Sequence, residues 1–334
     1  MKVSKGLILQ IVKLGLALGI VFYLFRSGRL SLDHVSQFLS KPTYFAGALG
    51  LMAFFYVANF YRWKLILSLV EIDISFALST RLSMLGQFFS TFMPGAVGGD
   101  LVKAVYVARR YPTRRTQTVM TVLLDRLIGL FALVCWGALG FFLGRDHFEA
   151  STHALKPLAQ LAGWGLVAVA LVGLVAFLWI TLLPKGIPQS PPSFLNRLPM
   201  ARRWNSLYEL VLSFQRYPAK AWGALALALM VQAVNLGVLV VIAFALFGAP
   251  PWGLVHIDTF VAASCLGLCF MALPLAPLGL GVGQAAFATM FSILGVADPA
   301  FGASIVTGYQ LLSLLLNLSG LYFYVSYKHE VEAV

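Results

Sequence analysis

Charge is what this sequence has least of: ionisable Asp, Glu, Lys and Arg make up 11% of its 334 residues, against 60% hydrophobic ones, and the mean hydropathy is +0.86. A soluble domain carries about 25% charged residues, so that class is excluded and a polytopic membrane protein is expected. Acid is scarcer than base, 12 against 24, for a net charge of +12. The cations sit in short segments between apolar runs, which a positive-inside bias accounts for, so no nucleic acid is expected as partner. Cysteine is equally sparse. Cys135, Cys265 and Cys269 all fall inside apolar runs, where they act as small buried hydrophobes. Cys265 and Cys269 share a helix face, but no histidine or carboxylate is near enough in sequence to complete a metal site. The five histidines, His34, His147, His153, His256 and His329, fall in loops or at ends without ligand spacing. There is no Gly-x-Ser-x-Gly elbow and no carboxylate pair set for general acid/base work. No catalytic residue, metal or cofactor is therefore expected.

Long apolar runs are what the chain does have. A bilayer core takes about 20 helical residues, and six stretches qualify: 7–25, 44–61, 118–143, 158–183, 221–247 and 301–327. The first begins after lysines and is followed by Arg26 and Arg29 with no small-residue cleavage site, so it is expected to stay as an uncleaved helix, with Lys13 reaching the interface. The second is expected to end at Tyr61, with Arg62-Trp63-Lys64 as its interfacial anchor. The linker 184–220 is proline-rich and basic, with Glu209 its sole acid, and reads as an amphipathic surface connector. Counting cations loop by loop places both termini, 109–117 and 184–220 inside, and 26–43, 145–157 and 248–257 outside. Only 26–43 runs against the rule, being net positive outside.

Two further apolar segments are broken in the middle. Residues 76–108 are interrupted at Pro94-Gly95-Ala96-Val97-Gly98-Gly99-Asp100, and 259–296 at Pro274, Pro277, Gly279, Gly281 and Gly283. Neither arm of the first is long enough to span, so each segment reads as a re-entrant helical hairpin. Backbone that leaves helical geometry at membrane depth must be buried in protein or line a cavity, since hydrocarbon offers its freed N–H and C=O groups no partner. The breaks correspond: Asp100 in the first takes the place of Gln284 in the second, and the stretch Val122 to Arg126 that of Val306 to Gln310. The expected fold is thus all-α and polytopic, one membrane domain over 1–334. It has about six full spans and two re-entrant hairpins in an inverted-topology repeat, one half being about 44–143 and the other about 221–327.

Asp100, Lys103, Arg81, Asp125 and Arg126 bring charge into this apolar frame. Each costs about 2.5 kcal/mol or more at the centre of a span if left facing lipid, so they must pair or line water. Asp100 can pair with Arg126 or Arg81 to lock the hairpin, or take part in binding, and the two roles are compatible. Gln284 and Gln310 make the second half neutral, and glutamine in a span commonly bridges helices.

Four blocks then resemble a known family: Arg62-Trp63, PGAVGGDLVKAVYVARR from Pro94, Asp125-Arg126-Leu127-Ile128-Gly129-Leu130, and PLGLGVGQAAF from Pro277. In order and spacing, over nearly the whole chain, they look like the flippase-like integral-membrane family of the lysylphosphatidylglycerol synthase membrane region. The resemblance implies a lipid translocase fold with two re-entrant helices, acting on aminoacylated phospholipids or other polar or isoprenoid lipids. It points to Arg62, Gly98, Gly99, Asp100, Lys103, Asp125 and Arg126 as functional residues. Two positions depart from its pattern, with Gln284 where members often carry Glu and Gln310 where they often carry Arg. The expected function is a transporter-like lipid flippase of a bacterial-type inner membrane, with a membrane lipid as substrate. Its substrate-binding candidates are those seven residues with Arg81, Gln284 and Gln310. The alternatives are a membrane-embedded lipid-modifying transferase, or a non-transporting partner of a lipid-modifying enzyme docked on the 184–220 linker.

Overall fold

The computed structural model describes residues 32–92, 97–182, 192, 201–248, 255–273, 279–296, 298 and 300–332. The first expected span at 7–25 lies outside the described residues, as do Pro94 and its neighbours at 93–96, Pro274 and Pro277 within 274–278, and nearly all of the linker from 183 to 200.

Among the described residues every regular element is a helix. In chain order they are α1 (Leu32–Leu39), α2 (Pro42–Leu69), α3 (Phe76–Phe92), α4 (Val97–Arg110), a 3-10 turn (Pro112–Arg114), α5 (Arg115–Leu143) and α6 (Arg145–Ala150). Then come α7 (Lys156–Leu182), α8 (Ala201–Arg216), α9 (Pro218–Phe247), α10 (Ile257–Met271), α11 (Val282–Ile293) and α12 (Phe301–Glu332). The helices begin where proline allows it: Pro42, Pro112 and Pro218 each occupy a first-turn position, where a missing N–H costs nothing. Gly248, at φ +67, ends α9 in the left-handed conformation and returns its N–H to the Phe244 carbonyl.

Five helices are long and apolar enough to cross a membrane, α2, α5 with its preceding turn, α7, α9 and α12, and they coincide with the last five expected spans. The protein is an all-α, polytopic membrane protein. One boundary differs instructively. The sequence ends the second span at Tyr61, yet α2 continues to Leu69, with Arg62 and Trp63 buried. An arginine next to a tryptophan satisfies an interface or a buried carboxylate equally well, and here the carboxylate lies on α5, 63 residues away in sequence.

Packing pairs the elements in a regular way. α2 lies along α9; α3 folds back on α4, and α10 on α11; α5 lies along α10, and α12 along α3. The α5–α10 seam is built on glycine. A Cβ at Gly140 would come within 2.7 Å of the Asp258 carbonyl oxygen and 2.8 Å of the Ala262 nitrogen, so only a bare Cα lets the two backbones touch. α7 packs mainly on α5 and leaves nearly all its side chains facing outward.

The connections gather at two ends. At one, Lys41 Nζ donates to the Ala245 carbonyl at 2.6 Å, Ser151 Oγ donates to the Ile293 carbonyl at 2.5 Å, and the rings of His147 and His256 lie 3.9 Å apart. At the other, Arg114 donates to the Val70 carbonyl at 3.0 Å, Lys220 to the Ser68 carbonyl at 3.1 Å, and Gln117 to the Glu209 carboxylate at 3.1 Å. These are the same two groups of connections that the loop-by-loop cation count separates.

Candidate functional site

The site is assembled by three helices that meet beside the first broken segment. α2 brings Arg62 and Trp63, α4 brings Asp100 and Lys103 one turn apart on a single face, and α5 brings Asp125 and Arg126. Adjacent residues on a helix point about 100° apart, so Asp125 turns to Arg62 and Lys103 while Arg126 turns to Asp100. Arg62 Nε donates to Asp125 Oδ1 at 2.9 Å, and its Nη2 donates to the Asp125 carbonyl at 3.2 Å. Lys103 Nζ stands 3.8 Å from Asp125 Oδ2 and 3.7 Å from the centroid of the Trp63 ring, an ion pair on one side and a cation–π contact on the other. Arg126 Nε donates to Asp100 Oδ2. Asp125 sits ten residues into α5, about 15 Å along the axis, well inside the length of the span.

Burial divides the five charges. Arg62 and Lys103 are only 5% and 7% exposed, whereas the side chains of Asp100 and Arg126 are 29% and 36% exposed. The cluster therefore has a closed end and an open one. It also holds three cations, Arg62, Lys103 and Arg126, against two carboxylates, Asp100 and Asp125, so at neutral pH one positive charge is in excess. In a low-dielectric interior such an excess favours an anion.

Small residues give these side chains room. Gly129, one turn after Asp125, leaves the space in which the Arg62 guanidinium lies on the α5 backbone; a Cβ there would be 3.0 Å from Nη2. Gly86 and Gly99 let α3 and α4 close on each other, since a Cβ on Gly86 would stand 2.8 Å from the Gly99 carbonyl oxygen. Gly98 lies beside Gly99 in the first turn of α4. Arg81 is on the exposed face of α3.

The second broken segment makes a neutral version of the same arrangement. Gln284 lies 184 residues after Asp100, and Gln310 184 after Arg126. As the carboxylate and guanidinium meet across 26 residues, so do the two amides: Gln284 Nε2 donates to Gln310 Oε1 at 2.5 Å. Gln284 also donates to Thr307 Oγ1 at 3.2 Å and accepts from the Gly281 N–H at 2.8 Å. Gly281 has φ +77, a conformation that strains other residues and aims that N–H at the amide. With Gln284 and Gln310 only 2% and 4% exposed, this pair is dry and satisfied where its counterpart is open.

The structure thus brings together Arg62, Lys103, Asp125, Asp100 and Arg126 as one cluster and Gln284 with Gln310 as another. Sequence reasoning missed Trp63 as the lysine's aromatic partner, Gly129 as the seat of the guanidinium, and Thr307 beside the glutamines. Gly129, one turn beyond a membrane-embedded aspartate, was the available signal. Among the described residues no three His, Cys, Asp or Glu side chains converge as metal ligands. Neither the curated proteins nor the solved structures contain a match to the chain. The model of the lysylphosphatidylglycerol synthase TM region matches residues 10–320, which is nearly the whole sequence, and the chain belongs to that family of lipid-related membrane proteins.

Proposed function

We propose that the protein is a lipid translocase of the cell inner membrane that moves a polar, phosphate-bearing lipid between leaflets, with both termini cytoplasmic. In this reading the α3–α4 and α10–α11 hairpins are re-entrant from opposite faces and belong to two inverted repeats of span, hairpin and span. The equal 26-residue spacing of Asp100–Arg126 and Gln284–Gln310 supports the repeat, as does the reciprocal packing of α5 on α10 and α12 on α3. The observation that carries the function is the buried cluster with its excess cation, opening at Asp100 and Arg126. A headgroup phosphate enters at that open end and is held by charge-assisted hydrogen bonds from Arg126 there and from Lys103, buried one turn of α4 behind Asp100, with backbone N–H groups at Gly98 and Gly99 as further donors. Asp125, itself fixed by Arg62, and the Trp63 ring hold the lysine in place, and the acyl chains stay in lipid while the head crosses.

The test is leaflet-specific quenching of labelled lipids in proteoliposomes, normalised to folded protein, with anionic, zwitterionic and uncharged headgroups. Lys103→Gln is expected to slow the phosphate-bearing lipids about tenfold or more, the worth of one hydrogen bond to a charged group. Lys103→Arg, which keeps the charge, is expected to restore part of the rate. Equal rates for wild type and Lys103→Gln on every headgroup would overturn the phosphate role. Headgroup turnover by the purified protein would favour a transferase instead.

A further inference from the structure

A polar cavity lies away from the charge cluster, at the end of the molecule where the α2–α3 turn, the start of α5 and the surface helix α8 meet. It encloses about 390 Å³, within the range of small-ligand pockets. Its depth in the membrane follows from helix length. α2 has 28 residues, about 42 Å, against a hydrocarbon core of about 30 Å, so its last residues stand at the level of the lipid headgroups. Leu69, Met120 and Leu210 give the cavity an apolar side; Glu71, Arg114, Gln117, Glu209 and Arg216 give it a charged one.

The charges are unequally committed. Glu71 already has partners, Tyr217 donating to Oε1 at 2.8 Å and Arg216 standing 3.7 Å from the same oxygen. The hydrogen bond to Glu71 is the first reason the Tyr217 phenol titrates above its ordinary range. Arg114 donates to two neutral carbonyls, those of Val70 at 3.0 Å and Glu71 at 3.4 Å. Glu209 accepts from the neutral amide of Gln117 at 3.1 Å. Among the described residues neither Arg114 nor Glu209 belongs to an ion pair. Gln117 lies one turn after Arg114, so a guanidinium and a carboxylate that hold only neutral partners line the same cavity. The α2–α3 turn at the cavity's edge is tied down by several contacts. Glu71 has φ +58, a strained backbone for a residue with a side chain, pinned at its carbonyl by Arg114 and at its carboxylate by Tyr217 and Arg216.

We propose that this cavity binds a zwitterionic group, a primary ammonium held by Glu209 and a phosphate held by Arg114, of the kind an ethanolamine-phosphate head presents. A net anion would meet Glu209 and a net cation would meet Arg114, so a ligand carrying both signs a few bonds apart fits best. The site is separate from the charge cluster and does not depend on translocation.

The experiment is native mass spectrometry of the whole purified protein, offered equal amounts of phosphatidylethanolamine and phosphatidylglycerol. Wild type should retain the ethanolamine lipid in preference. Glu209→Gln, nearly isosteric, should remove about tenfold of that preference, and Arg114→Gln should lower retention of both lipids. Displacement of the retained lipid by free phosphoethanolamine would assign the site to a soluble zwitterion; resistance to it would assign the site to the lipid. Two results overturn the proposal: a wild type without preference, or a preference untouched by Glu209→Gln. The Lys103→Gln variant separates this site from the translocation cluster. Loss of the preference in that variant, with Glu209→Gln unaffected, would place the bound lipid at the cluster and end the case for the cavity.

Discussion

At the scale of single residues, the cluster makes unequal demands on its two carboxylates. Asp125 is the shared partner of two nearly buried cations, Arg62 and Lys103. Asp125→Asn strands both, and removing one side of a buried pair costs about 3 to 5 kcal/mol. Asp100 pairs with Arg126 where about a third of each side chain is exposed, so water screens the loss and Asp100→Asn should cost nearer 1 kcal/mol. Thermal unfolding in one detergent should therefore rank Asp125→Asn far below Asp100→Asn. The double variant Asp100→Asn with Arg126→Gln copies the amide pair of the second hairpin and should be more stable than the worse of its two singles. A double variant no better than that single would show that the two are not an energetic pair. The charged positions themselves were legible, because a carboxylate or guanidinium inside an apolar run must have a reason to be there. The allocation of partners was only partly legible. Asp100 with Arg126 was among the expected pairings, but Arg62 was read as an anchor at the end of its span. Local sequence contains the cation and the aromatic ring and says nothing of a carboxylate on a distant helix.

At the scale of elements, the glycine seam between α5 and α10 sets how closely these two helices approach each other. Gly140→Val should force the backbones apart and cost about 1 to 3 kcal/mol, the range for overpacking a filled site. Gly165, on α7, is a suitable control, since nothing lies within 4 Å of a Cβ placed there. Gly165→Ala should be neutral or slightly stabilising through helix propensity. Comparing the two melting temperatures distinguishes a seam from a general sensitivity to losing glycine; equal shifts would contradict the close approach. Five spans and both arms of each broken segment were legible from apolar run length and from Pro and Gly punctuation, with ends off by a few residues except that of α2, which runs eight residues further. The short helix α6 was not, because six residues carry too little periodicity to register. The amphipathic α8 was anticipated only as a surface connector.

At the scale of the whole molecule, the inverted repeat makes a claim about access. With the three native cysteines replaced, Thr91→Cys at the end of α3 and Leu273→Cys just after α10 should be labelled by a membrane-impermeant reagent from opposite sides. Labelling of both from one side would rule the inversion out. The matched pairs Asp100–Arg126 and Gln284–Gln310 were anticipated in the sequence by the alignment of the two broken segments, because Gly and Pro mark backbone geometry. What could not be read was that α5 packs on α10 and α12 on α3, since contacts between helices more than 100 residues apart leave no local trace. The second of these packings has a consequence in time. α3 is covered by α12, so the first hairpin, with its charges, is synthesised and placed in the bilayer before its covering helix exists. More than 200 residues separate Phe92 from Phe301. At about 5 to 20 residues per second the interval is roughly 10 to 40 seconds, far longer than helix formation itself. The partners of the Asp100–Arg126 and Arg62–Asp125 pairs are all made before α12, so these pairs are available during that wait to keep the charges from facing lipid alone.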